Sequence, residues 1–161
     1  MELQNKWKYC EATTCEHNLA IKHPDCIESI HAVIRNEGGK KSFFKTEKCL
    51  NLDKIETKQA QEKKQEIKAT MDCSFGISHG KQKRMILCEY RLRYKNVNNL
   101  SKTELDSKIT HSKNLLGTTY VIHNCYLFVF NPEIKKQAIH RLRWLYNGSK
   151  NREVIDINKL K

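Results

Sequence analysis

The sequence predicts a single α/β domain with a mixed central β-sheet flanked by helices. Three observations carry this. Two alternating stretches meet at a glycine-containing loop within residues 68–94, a capped helical stretch follows, and a β-branched and aromatic run occupies residues 120–130. The chain has 161 residues, which fits one domain, and its 39% hydrophobic content can supply a core. The expected division is a Cys/His-containing N-terminal segment, 1–26, ahead of an α/β core, 27–157.

Taken in order, His23-Pro24-Asp25 suits a helix start, and Ile27, Ile30 and Ile34 recur at helical spacing until Gly38-Gly39 stops them. Residues 42–52 are strand-like with imperfect alternation. Residues 53–68, rich in Lys, Glu and Gln, read either as an exposed helix or as a connection. From residue 68 to 77, Ala69, Met71, Cys73, Phe75 and Ile77 share one face and Lys68, Thr70, Asp72 and Ser74 the other. From 85 to 94, Ile86, Cys88, Tyr90, Leu92 and Tyr94 alternate with Met85, Leu87, Glu89, Arg91 and Arg93. The polar stretch 78–84 joins the two, giving a β-hairpin with one core face.

Ser101-Lys102-Thr103-Glu104 is a capping box, with Ser101 as N-cap. Leu105, Ile109, Leu115 and Leu116 form the apolar side of the helix it opens, and Gly117 ends it. Residues 120–130 are too apolar for an edge strand and are expected at the centre of the sheet. Asn131-Pro132 breaks that strand, a second helix carries Ile134, Ala138, Leu142 and Leu145 along one stripe, and residues 154–157 suit a last short strand.

Thirty Lys and Arg against eighteen Asp and Glu leave a formal charge of +12. Such a surplus favours a polyanionic partner, nucleic acid foremost and an anionic membrane surface more rarely. A protein partner or a second copy of the chain is left open by charge alone. No apolar run approaches the ~20 residues of a spanning helix, and the first residues lead into no apolar stretch of a secretory signal. Seven cysteines without a tight framework read as reduced thiols of a cytoplasmic protein.

Asp72 and Glu89 fall on the same, non-core face of the hairpin, and Arg91, two residues beyond Glu89, points to that side as well. Neighbouring strands lie about 4.8 Å apart, so the two carboxylates can converge on one hard cation, Mg²⁺ or alternatively Mn²⁺. Such an ion lowers the pKa of a bound water for attack on phosphorus. A neighbouring protein cation orients that water or neutralises developing phosphate charge.

A strand bearing Asp72, a hairpin, a strand ending in Glu89-Tyr90-Arg91, then helix, strand and helix resembles the PD-(D/E)XK (restriction-endonuclease-like) nuclease superfamily. The resemblance rests on Asp72, on Ile86-Leu87-Cys88-Glu89-Tyr90-Arg91 and on the stretches 101–116 and 120–130. It spans about residues 27–144 in element order. It implies a restriction-endonuclease-like core and a metal-dependent endonuclease hydrolysing phosphodiester bonds in DNA or RNA. Asp72 and Glu89 would then be the metal ligands, Arg91 would occupy the position of the lysine that assists the attacking water, and Glu28, on the first helix, would match an additional acid of some members.

Two departures matter. Arginine is always protonated and cannot act as a general base, which leaves Arg91 to bind phosphate or hold a water, with Lys108 or Lys113 on the next helix as stand-ins for the missing lysine. Met71 rather than Pro precedes Asp72. The competing reading is a catalytically inactive, basic nucleic-acid-binding or protein-interaction module on the same fold. There Glu89 and Arg91 are a surface ion pair worth at most ~1 kcal/mol.

Lys81, Lys83 and Arg84 on the hairpin loop, with Arg93 near its base, are expected to border the acids and follow a phosphate backbone. His140, Arg141 and Arg143 beside Trp144 read either as nucleic-acid contacts or as part of a helix packed by its tryptophan. Separately, Cys10, Cys15, His17, His23 and Cys26 are of the types that bind Zn²⁺, and Cys10, Cys15, His17 and Cys26 would make a closed four-ligand site. Their spacing is no standard finger, and small buried thiols are the competing account.

Overall fold

The computed structural model describes residues 6–39 and 44–156. A mixed eight-stranded sheet runs through it. One half is antiparallel: β2 (Ile27–Ser29), β3 (Lys48–Asn51), β4 (Cys73–His79) and β5 (Gln82–Arg91). The other half is parallel, β5 pairing with β7 (Tyr126–Phe130) and β7 with β8 (Arg152–Asp156). Two short strands complete it, β1 (Lys8–Tyr9) beside β4 and β6 (Val121–Ile122) beside β5. The order β2-β3-β4-β5-β7-β8 places β5 where antiparallel pairing gives way to parallel. Parallel neighbours need crossover connections, and α5 (Lys102–Leu116) and α6 (Lys135–Leu145) supply them.

Both faces of the sheet are buried. Met85 and Leu87 pack into a core with Leu105 and Ile109 of α5 and Ala138 and Leu142 of α6. Ile86, Cys88 and Tyr90 pack into a second core with Ile30 and Ile34 of α3 (Ile30–Asn36). The expected hairpin with a single core face is thereby corrected. The unbroken apolar run at residues 85–88 feeds both sides, as strands covered on two faces do. The hairpin is also tighter than expected: its strands run to His79 and from Gln82, leaving Gly80-Lys81 as the turn, with Gly80 at φ +58°.

The first core helix begins later than its spacing suggests. Pro24–Cys26 form one 3₁₀ turn and Ile27–Ser29 pair with β3. Only at Ile30 does α3 start, capped by Ser29, whose Oγ accepts from the Ala32 N–H at 3.1 Å. Glu28 therefore sits on a strand, not on the first helix. Residues 53–68 resolve into α4 (Leu52–Lys63), capped by Asn51, followed by an irregular stretch up to β4. The run 120–130 divides into β6 and β7 because His123 Nδ1 turns back to accept from the Cys125 N–H at 3.0 Å. β8 begins at Arg152, and Ser42, Phe43 and Ile157 lie outside the described residues.

The N-terminal segment is integral to the sheet. It carries α1 (Glu11–Cys15) and α2 (Asn18–Lys22). Along β4, β3 pairs with Cys73 and Ser74 and β1 with Ile77 and Ser78. In the gap between them Thr14 Oγ1 accepts from the Gly76 N–H at 2.8 Å, and the Cys10 N–H donates to Gly76 O at 2.8 Å. A Cβ on residue 76 would lie 2.4 Å from Thr13 Cβ, so only glycine permits this approach. Among the described residues no helix is long and apolar enough to cross a membrane.

Candidate active site

Cys73 pairs with Cys88 at the end of the β4–β5 ladder, so the next residues outward, Asp72 and Glu89, face each other across the two strands. Both are buried. Asp72 Oδ2 accepts from the Tyr90 N–H at 2.6 Å, which holds its carboxyl against β5. Glu89 shares the face of Leu87, over which α5 passes, and Lys108 of α5 reaches down to place Nζ 2.7 Å from Glu89 Oε1. Arg91 also meets Oε1 at 2.9 Å, and its guanidinium continues to Glu104 Oε1 at 2.9 Å and Tyr94 Oη at 2.6 Å. Glu89 Oε2 is buried with no hydrogen-bond partner.

Two acids invisible to periodicity complete the surroundings. A cleft of about 420 Å³ opens beside Asp72 and is lined by Glu37, Asn51, Asp53 and Lys54. Asp53, in the first turn of α4, accepts from Thr70 Oγ1 at 2.7 Å. Glu37 closes the C-terminus of α3. In the sequence, Asp53 carries only the signature of a first-turn acid and Glu37 only that of a residue before a glycine stop. Tertiary packing alone brings them to Asp72.

Burial, and next the charge of Glu89, pushes the Asp72 carboxyl up to about 9, against the opposing pull of the Tyr90 N–H. Burial raises Glu89 too, although Lys108 and Arg91 favour its ionised form. Asp53 is raised by burial, and Glu37 by burial and then by Asp53. Burial works against the Lys108 ammonium, but the Glu89 carboxylate outweighs it, and the lysine pKa rises.

Two facing carboxylates with one unbonded buried oxygen suit a hard divalent cation, because Mg²⁺ takes one or two protein carboxylates and keeps several waters. Among the described residues no group of three or more His, Cys, Asp or Glu side chains is arranged to hold a metal ion. The structure brings Asp72, Glu89, Arg91 and Lys108 together. It directs Lys113 elsewhere, 5.2 Å over the Tyr126 ring. Glu28 accepts from Asn51 Nδ2 at 2.8 Å and pairs with Lys54.

The expectation that the hairpin cations border the acids is corrected. Lys81 is in the turn, and Gln82, where β5 begins, is separated from Glu89 by roughly 23 Å of strand. Arg84 there covers the Trp7 ring at 5.0 Å, and Lys83 lies 3.7 Å from Glu16. Arg93 is at the acid end, donating to Asn36 O at 2.7 Å. Trp144 does not pack its helix: it is 67% exposed.

Among the described residues the proposed zinc ligands do not converge on a metal-holding group. His17 caps α2 by accepting from the Leu19 N–H at 3.0 Å, Cys10 Sγ accepts from Thr13 Oγ1 at 3.0 Å, Cys26 is buried in the first core, and Cys15 is half-buried. Compared with family models, with curated proteins and with solved structures, the chain matches none of them.

Proposed function

We propose that the protein is a metal-dependent nuclease that hydrolyses phosphodiester bonds in DNA or RNA. The observation that carries the reading is the facing pair Asp72 and Glu89, joined by Lys108 from the following helix and backed by the partnerless Glu89 Oε2. The order α3, β3, β4–β5 hairpin, α5, β7, α6 supports it further, being the order on which the likeness to the PD-(D/E)XK superfamily rests. The net charge of +12 suits a polyanionic substrate.

In this reading Asp72 and Glu89 hold Mg²⁺ or Mn²⁺. When bound, such an ion supplies an activated water and neutralises phosphate charge. Lys108, whose pKa is raised, stays protonated and therefore serves as a donor rather than a base. Its ammonium orients the water or a phosphate oxygen and offsets charge that develops on the phosphate. Arg91 fixes the Glu89 carboxylate and, through Glu104 and Tyr94, ties the end of β5 to the start of α5. The cleft lined by Glu37 and Asp53 borders Asp72 and bounds the space from which substrate approaches.

The second reading is a non-catalytic nucleic-acid-binding or protein-interaction module. Arg91 favours it, because its guanidinium is already committed to Glu89, Glu104 and Tyr94.

The test is cleavage of labelled single- and double-stranded DNA and RNA with Mg²⁺, Mn²⁺ or EDTA, by wild type, Asp72→Asn and Glu89→Ala. Each variant is checked for folding by circular dichroism. Metal-dependent cutting lost in folded Asp72→Asn is the expected result. Binding without cutting under every metal would reject the nuclease and leave the module.

A further inference from the structure

We infer that the cleft between the turn after β5 and helix α6 is a binding site for unpaired nucleic acid, with a base stacked on Trp144. The inference rests on the nucleic-acid reading above and extends it to strandedness and to a second place of contact. Trp144 projects from α6 with 67% of its surface exposed, and it lines a cleft of about 850 Å³ with Lys95, Asn98, Lys136, His140 and Arg141. No acidic residue lines that cleft.

The indole is held, not loose. The Arg141 guanidinium lies 4.8 Å from its ring centroid, and Arg141 is itself anchored to the 3₁₀ turn Val97–Asn99 and its flank through the carbonyls of Asn98 and Leu100, at 3.5 and 3.3 Å. Arg141 therefore braces the tryptophan beside a wall that bears lysines. An aromatic platform with cations around it, and no anions, is the arrangement that holds a base by its face and the neighbouring phosphates by charge. Stacking of this kind takes an unpaired base, because bases inside a duplex already have both faces covered.

The other exposed large apolar residues among those described, Ile21, Ile67 and Val121, lie elsewhere and do not line this cleft. Trp144 is thus the exposed aromatic side chain of a cleft whose charged lining residues, Lys95, Lys136 and Arg141, are all cationic. Its position also connects it to the acids. The turn that walls the cleft joins the end of β5, which carries Glu89 and Arg91, to α5, which carries Lys108. The loop that walls the cleft is thus continuous with both acid-site elements.

The test is fluorescence-anisotropy titration of the full chain with a labelled single strand, as DNA and as RNA, and with the matching duplex, all in EDTA so that cutting is silent. Wild type, Trp144→Ala, Trp144→Phe and the double variant Lys95→Gln/Lys136→Gln are compared. Single strand is expected to bind more tightly than duplex, with about a tenfold loss in Trp144→Ala and near-full retention in Trp144→Phe. The lysine double variant should lower the slope of log K against log salt by about 1.4, at about 0.7 per phosphate contact on a single strand.

Trp144→Ala binding both single strands like wild type would overturn the inference. So would a Trp144-dependent association with anionic phosphatidylserine vesicles in place of the oligonucleotides. Cleavage assays of wild type and Trp144→Ala with Mg²⁺ or Mn²⁺, run beside the titrations, separate the two proposals. Trp144-dependent binding without metal-dependent cutting rejects the nuclease alone, and cutting without Trp144-dependent binding rejects the platform alone.

Discussion

Tyr90 donates its backbone N–H to Asp72 Oδ2 at 2.6 Å, yet burial still leaves the Asp72 carboxyl protonated well above the ordinary carboxylate range. The backbone bond fixes where the carboxyl points, and burial with the facing Glu89 decides its charge. A divalent cation arriving at this pair must displace a proton, so metal uptake should tighten as pH rises.

The same shift predicts how stability depends on pH. With Asp72 raised to about 9 in the folded chain and ordinary in the unfolded one, the native state binds the extra proton between those values. The stabilisation is complete below about pH 4 and is lost as pH climbs towards about 9, with a slope of up to ~1.4 kcal/mol per pH unit. The raised Glu89 adds a contribution of the same sign. Urea denaturation from about pH 5 to about pH 8.5, in EDTA, should show stability falling for wild type and a flatter profile for Asp72→Asn.

Lys108 and Glu89 form a buried pair whose members should behave as a unit. Glu89→Gln strands the buried Lys108 ammonium and should cost about 3 kcal/mol, whereas Lys108→Met leaves the Glu89 carboxylate to Arg91 alone and should cost less. The double variant removes both charges and should be less destabilised than the sum of the singles by about 1–3 kcal/mol. A double-mutant cycle by urea titration measures the difference, and strict additivity would contradict the coupling. In cleavage assays Lys108→Met should lower the rate about 10²- to 10³-fold, the scale of losing one transition-state donor.

Gly76→Ala should be among the most damaging small substitutions. Its Cβ would meet Thr13 Cβ at 2.4 Å and Cys10 O at 2.6 Å, and the latter is backbone that cannot swing aside. A loss of about 1–3 kcal/mol is expected from overpacking. A lowered midpoint with an unchanged urea m-value would show that the native contact, and not the unfolded chain, had changed.

The hairpin and the helix after it were legible because each has a strong local signal. Alternation marks β5, and the Ser101–Glu104 box marks α5, where Ser101 Oγ accepts from the Glu104 N–H. Alternation places Asp72 and Glu89 on one face, and the tight turn at Gly80-Lys81 sets the register that brings them opposite each other. Ile27, Ile30 and Ile34 misled because a strand and the helix after it together imitate one helical stripe, while the cap at Ser29 was the truer signal.

The face carrying Glu89 looked solvent-facing because polar residues occupy its outer end. Met85 and Leu87 on that same side bury it under α5. Glu37, Asp53 and the bracing of Trp144 by Arg141 depend on elements far apart in the chain meeting in space, and no short-range pattern encodes such meetings.

The seam at Gly76 bears on how the molecule stays apart from its neighbours. A strand with unpaired N–H and C=O groups is a template for another chain, and sheets ordinarily shield such groups at their borders. Here the vulnerable stretch lies in the interior, between β1 and β3, and Cys10 and Thr14 stopper it. Deleting residues 1–17 removes β1 together with this stopper and would leave the outer half of β4, from Phe75 to His79, as an uncovered edge open to a foreign strand. The shortened chain should self-associate, seen as a concentration-dependent rise in mass by light scattering that the full chain does not show. The N-terminal segment would then protect the sheet against aggregation as well as contributing to its stability.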